Sequence, residues 1–212
     1  MTSYSRSHPA AFFRSAAVCR CAYLIAGGQS RRMGCDKLFV EIDGRTLLDR
    51  ALSTCQDRFS DTSIVAREKE KFCGYDTRVV IDSPAAEGPM AGLIAALEDC
   101  PDSCCFVTAV DLFDLSTDLI DQLLAAYRDE AYLGISEPSN VDKPDAVSDL
   151  QPLCGILSKT ALPALLRQAR TGDYRLKSVL SGLRTGFVIP NGSFWRNLNT
   201  CDDLHKLGGN HG

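Results

Sequence analysis

The residues best suited to chemistry are concentrated in one segment near the start of the chain, Ala26-Gly27-Gly28-Gln29-Ser30-Arg31-Arg32-Met33-Gly34-Cys35-Asp36-Lys37. Gly27 and Gly28 carry no Cβ, so their backbone can come close to a bound group. Successive N–H groups in such a turn form an anion-binding concavity. Arg31, Arg32 and Lys37 add fixed positive charge suited to a triphosphate. The spacing matches neither Gly-x-x-x-x-Gly-Lys-Ser/Thr nor Gly-x-Gly-x-x-Gly, which excludes a Walker loop and weakens a dinucleotide fingerprint. On composition alone the segment reads equally well as a Gly-rich surface turn with solvated arginines. Asp82 and Asp111 each follow an apolar run, and each taken alone is more commonly a cap or a surface charge than a ligand. The histidines stand only at positions 8, 205 and 211, which argues against a Ser-His-Asp or Cys-His hydrolase.

Bringing these groups together needs a scaffold, and the hydrophobic pattern supplies one. Residues 21–26 form a short apolar run, a buried strand that leads directly into the Gly27 loop. A turn at Asp43-Gly44 follows a short apolar segment, and Thr46-Leu47-Leu48-Asp49 is a capping box opening a helix. Strands are expected at 63–66, 78–81, 104–109, 131–135, 150–157 and 186–189. Helices are expected at 90–97 behind Gly88-Pro89, at 119–127, at 160–170 and, after a second capping box at Thr200, at the C-terminus. Strands alternating with helices predict an α/β fold around a mostly parallel sheet. In such sheets ligands sit beyond the carboxyl ends of strands, near a reversal of strand order. The Gly27 loop, Asp82 and Asp111 each follow a strand, so the three are expected to converge on one crevice.

Composition bounds the alternatives. A chain of 212 residues, 45% apolar and 24% charged, is an ordinary globular sequence of about one domain. A net charge of −4 provides no cationic field for sequence-independent nucleic-acid binding. The longest stretch without a charged residue, 185–195, has eleven residues, against roughly twenty for a membrane-spanning helix. The ten cysteines contain no Cys-x-x-Cys and several lie in apolar runs, so reduced thiols in a cytoplasmic setting are expected rather than structural zinc. Residues 1–20 read as a poorly ordered extension, with a composition that also fits a transit peptide or a translated upstream stretch. A single domain is expected over 21–207, followed by a flexible tail at 208–212.

The segment from Ala26 to Lys37 resembles the signature of nucleotidyltransferases related to molybdenum cofactor guanylyltransferase, which join GMP from GTP to the phosphate of molybdopterin. Val80-Ile81-Asp82, Gly88-Pro89-Met90-Ala91-Gly92, Val110-Asp111, Gln151-Pro152-Leu153-Cys154 and Asn197-Leu198-Asn199-Thr200 stand in that family's order. The resemblance implies a Rossmann-like three-layer α/β/α nucleotidyltransferase fold. It implies a guanine nucleotide held by Leu24, Ala26, Gly27, Gly28, Lys37, Asp82, Gly88, Gly92 and Asp111. Arg32 and Lys37 would contact phosphate, Asp111 would be the magnesium ligand, and Asn197 and Asn199 would face the second substrate. The implied partners are GTP, molybdopterin or molybdenum cofactor, and proteins that deliver the cofactor or receive the product, with no nucleic acid or membrane. Two departures stand out: Val110-Asp111-Leu112-Phe113 replaces the common Cys-Asp-x-Pro, and Ile64-Val65-Ala66-Arg67 carries no Asn after the second strand. A sister enzyme using CTP or another NTP, and a nucleotide-binding regulatory protein with little turnover, are the alternatives.

Overall fold

The computed structural model describes residues 19–27, 37–113, 115–136 and 150–190. Its centre is β1 (Cys21–Ile25), whose five residues are all buried, as a strand covered on both faces must be. Chain order continues through a small hairpin, β2 (Glu41–Ile42) and β3 (Arg45–Thr46), into α1 (Leu47–Gln56), β4 (Asp61–Ala66) and β5 (Arg78–Ile81). It then runs through α2 (Gly88–Asp99), β6 (Cys104–Ala109), α3 (Thr117–Ala126), β7 (Tyr132–Ser136), β8 (Leu150–Ser158), α4 (Leu162–Arg170), α5 (Leu176–Leu180) and β9 (Thr185–Val188).

Seven strands form one sheet in the order β5-β4-β1-β6-β8-β7-β9. Only β8 runs antiparallel to its neighbours. From β1 the chain steps outward to β4 and β5, then returns across the sheet to β6 on the other flank of β1. In sheets of this kind such a reversal is the place for a ligand crevice, here beyond the carboxyl ends of β1 and β6.

Helices cover both faces, in the three layers expected. Ala22 and Leu24 of β1 join Leu48, Leu52, Ile120 and Leu123 of α1 and α3 in one cluster. Cys21, Tyr23 and Ile25 join Leu93, Ile94, Leu97 and Leu165 of α2 and α4 in the other. Phe59 stacks on Phe106 with ring centroids 5.2 Å apart.

Local chemistry sets the element starts. The capping box forms as expected: the Asp49 amide donates to Thr46 Oγ1 at 3.0 Å and the Thr46 amide to Asp49 Oδ2 at 3.2 Å. Ser116 caps α3 by accepting from the Leu119 amide, which starts that helix two residues before the expected position. Asp43 and Gly44 both have positive φ, 52° and 72°, the two-residue turn that matches the twist of a hairpin. The hairpin strands and the single-turn α5 are too short for a periodic signal and were not expected from the sequence. Cys19 is buried and Arg20 pairs with Asp102 at 2.5 Å, so these two residues belong to the packed domain and not to the extension expected over 1–20. The terminal helix after Thr200 lies outside the described residues.

Candidate functional site

Register places the chemistry on one edge. Ile25 at the end of β1 lies opposite Val65 of β4 and Ala109 of β6, and Ala66 lies opposite Ile81 of β5. The residues that follow, Ala26-Gly27, Arg67, Asp82 and Val110-Asp111, therefore emerge together at the carboxyl edge. Hydrogen bonds carry the ladder one residue further, from the Ala26 amide to the Val65 carbonyl at 2.8 Å and from the Asp82 amide to the Ala66 carbonyl at 2.9 Å.

Asp82 sits between two glycines. A Cβ on Gly27 would lie 3.1 Å from Asp82 Oδ2, and one on Gly92 would lie 3.5 Å from Asp82 Oδ1 and 3.0 Å from Ile25 Cγ2. Gly27 thus makes room for this carboxylate, and Gly92 for the Ile25 side chain beside it. Asp82 Oδ1 is buried and finds no hydrogen-bond partner among the described residues. Burial pushes the Asp82 carboxyl above its ordinary range, and the Arg67 guanidinium opposes that shift. A buried acceptor without a donor is costly, and a ligand hydroxyl or amine would satisfy it. Gly88 has a different role: its φ is +58° and nothing lies within 4 Å of an added Cβ, so it serves the backbone turn that starts α2.

Asp111 lies on a turn closed by a 3.4 Å bond from the Leu112 amide to the Ala109 carbonyl. Val110 and Leu112 on either side are buried in the core, and Arg50 stacks over the Phe113 ring at 5.5 Å. These contacts fix the turn. Burial raises the Asp111 carboxyl, and the nearby Lys37 ammonium pulls it back. Lys37 opens a 3₁₀ turn, Lys37–Phe39, anchored by buried Leu38. Lys37 and Asp111, 74 positions apart in the sequence, thus come within each other's field.

The sequence-derived candidates divide accordingly. Gly27, Asp82 and Gly92 meet in one cluster, Lys37 and Asp111 in a second, and Ala26 and Gly88 border them. Leu24 is fully buried in mid-strand opposite Ile64 and Thr108, where its side chain packs the core. Gly28, Arg32, Asn197 and Asn199 lie outside the described residues. Arg67 was not singled out as a site residue; its only sequence signal is a basic residue ending an apolar strand. The donor set suits a divalent cation of the magnesium type, for which one carboxylate oxygen is supplemented by phosphate and water. Among the described residues no three ligating side chains gather into a metal cage.

Residues 22–186 match the family model described as a MobA-like NTP transferase domain. A probable molybdenum cofactor guanylyltransferase of Aquifex aeolicus is 30% identical over 188 residues, covering 87% of this chain and 88% of that one. The molybdenum cofactor guanylyltransferase of Desulfosudis oleivorans is 28% identical, covering 86% of this chain and 91% of that one. The crystal structure of molybdopterin-guanine dinucleotide biosynthesis protein A from Archaeoglobus fulgidus superposes with a TM-score of 0.70 at 20% identity. It covers 88% of this chain and 96% of that one, a likeness that concerns the fold. Among the described residues, no helix is long and apolar enough to cross a membrane.

Proposed function

This chain belongs to the MobA-like NTP transferase family, and from that premise we propose that it transfers GMP from GTP to the phosphate of molybdopterin, releasing pyrophosphate. The observation that carries this reading is Asp111 within the field of Lys37, at the same sheet edge as the Gly27–Asp82–Gly92 cluster. The names of its relatives supply the acceptor and the base.

The chemistry fits the residues. A phosphate monoester oxygen is already ionised at neutral pH, so it attacks the α-phosphorus without a general base. The bond from that phosphorus to the bridging oxygen breaks, and pyrophosphate leaves with its electron pair. Catalysis of such a step is mainly positioning and charge neutralisation. The Gly27 backbone and the Asp82 carboxylate would hold the nucleoside, with Asp82 Oδ1 accepting from a hydroxyl or amine. The Lys37 ammonium would balance charge developing on the departing pyrophosphate, with Arg32 as a second cation. Asp111 would hold magnesium, which when bound supplies electrostatic neutralisation of the phosphate oxygens. Gly88 would border the base, and Asn197 and Asn199 would face molybdopterin.

Pyrophosphate release measured with GTP, CTP, ATP and UTP, each with and without molybdopterin, tests the reading. Release with GTP that requires molybdopterin supports it. Release with CTP or another NTP instead assigns a sister transferase, and GTP binding without release assigns a regulatory nucleotide-binding protein.

A further inference from the structure

The ladder between β7 and β8 breaks at one point. Gly134 pairs with Gly155, but the next residue, Ile135, pairs with Gln151, so Pro152, Leu153 and Cys154 have no partner on β7. Proline cannot donate to a ladder, so a loop-out is where it fits within a sheet. Cys154 still pairs with Thr108 of β6, one residue before that strand ends. Leu153 is therefore level with the last residue of β6, and Gln151 and Pro152 run past it, level with the turn that carries Asp111. They lie across Asp111 from the Gly27–Asp82 cluster, because β8 flanks β6 on the side away from β1. Gln151, Pro152 and Leu153 are half-buried, as the wall of a crevice should be.

Tyr132 of β7 packs under this loop-out and bonds to its start. Its ring lies along the sheet over Gly134 and Gly155: a Cβ on Gly134 would meet the ring at 2.6 Å, and one on Gly155 would lie 2.9 Å from the phenol oxygen. The hydroxyl donates to the Gln151 carbonyl at 2.8 Å. One fully buried phenol thus satisfies the backbone carbonyl at the start of the extra residues.

We propose that Tyr132 is a positioning residue for the acceptor side of the transfer site, its hydroxyl fixing the wall formed by Gln151, Pro152 and Leu153 beside Asp111. This rests on the transferase reading above. The nucleotide cluster lies on the other side of Asp111 and does not depend on the peg.

Tyr132→Phe removes the hydroxyl and keeps the ring. In native-state hydrogen exchange the Cys154 amide, which ends the loosened segment, should exchange about ten-fold faster, with the amides of β1 unchanged, as for the loss of one net hydrogen bond. In steady-state kinetics KM for molybdopterin should rise about ten-fold while KM for GTP stays within two-fold of wild type, since a displaced wall misplaces only one reactant. A purely structural role would instead lower kcat through a smaller folded fraction and leave both KM values alone. Pro152→Gly loosens the same segment from a half-exposed position and carries the same expectation, which covers the case in which Tyr132→Phe fails to fold. An active wild type whose variants show unchanged Cys154 exchange or unchanged KM for molybdopterin overturns the role of Tyr132 alone. A folded wild type that binds GTP but never releases pyrophosphate with molybdopterin overturns the functional reading, and this inference with it.

Discussion

Asp111→Asn separates stability from function in a single substitution. In the folded protein burial raises the Asp111 carboxyl despite the Lys37 ammonium, so the folded state holds its proton more tightly than the unfolded chain does. The sign follows from linkage. Stability is highest below the ordinary carboxylate pKa, about 4, and declines as pH climbs from there through the raised folded value. At neutral pH the wild type therefore carries an unfavourable, partly desolvated charge, and Asn removes it while keeping the shape and one carbonyl oxygen. The gain should be on the order of 1 kcal/mol, within the range found when a strained functional residue is replaced. For a chain of this size that corresponds to a Tm rise of about 2–4 °C in the absence of divalent ions. Activity should move the other way. Loss of the charged ligand should shift the magnesium dependence far to the right and lower the rate about 10²–10³-fold, the scale of one preorganised electrostatic contact. Melting curves from pH 4 to 8 with chelator, and pyrophosphate release against magnesium concentration, read the two effects separately. A lower Tm at neutral pH together with superimposable magnesium curves would refute the reasoning and leave Asp111 as a cap for its turn.

Lys37→Ala should lower the transfer rate about 10²–10³-fold in a pyrophosphate-release assay while leaving the far-UV spectrum unchanged, since its ammonium acts on phosphate charge more than on packing. Gly27→Ala should weaken GTP binding by about ten-fold in calorimetry, because its Cβ would stand 3.1 Å from Asp82 Oδ2 and displace that carboxylate. Thr46→Ala breaks both arms of the capping box of α1 and should lower Tm by about 2–4 °C, for a loss of about 1 kcal/mol, with kcat/KM unaltered.

Much of this fold is written in local pattern. Cys104–Ala109 is a strand because a continuous apolar run with aromatic and β-branched residues suits the centre of a sheet, and it forms over the residues expected. Thr46 and Asp49 start α1 by bonds that span only three residues, which a sequence displays directly. The Ala26–Lys37 segment is ambiguous by composition, and what singles it out is its resemblance to a family signature spread over twelve fixed positions. Tertiary structure decided what depends on distant partners. Leu24 was expected to help hold the nucleotide, yet β1 is covered on both faces and packs the Leu24 side chain into the core, while Gly27, three residues on, passes the strand end and meets Asp82. The resemblance alone implies Gly92 as a nucleotide contact, and packing adds a reason for glycine there, because a Cβ would crowd Ile25 of β1. The field of Lys37 on Asp111 joins two turns at the same sheet edge, which only strand order brings together. Tyr132 carries no sequence signal at all: its meaning comes from a register jump between β7 and β8, and register is set by the whole sheet, not by any one strand.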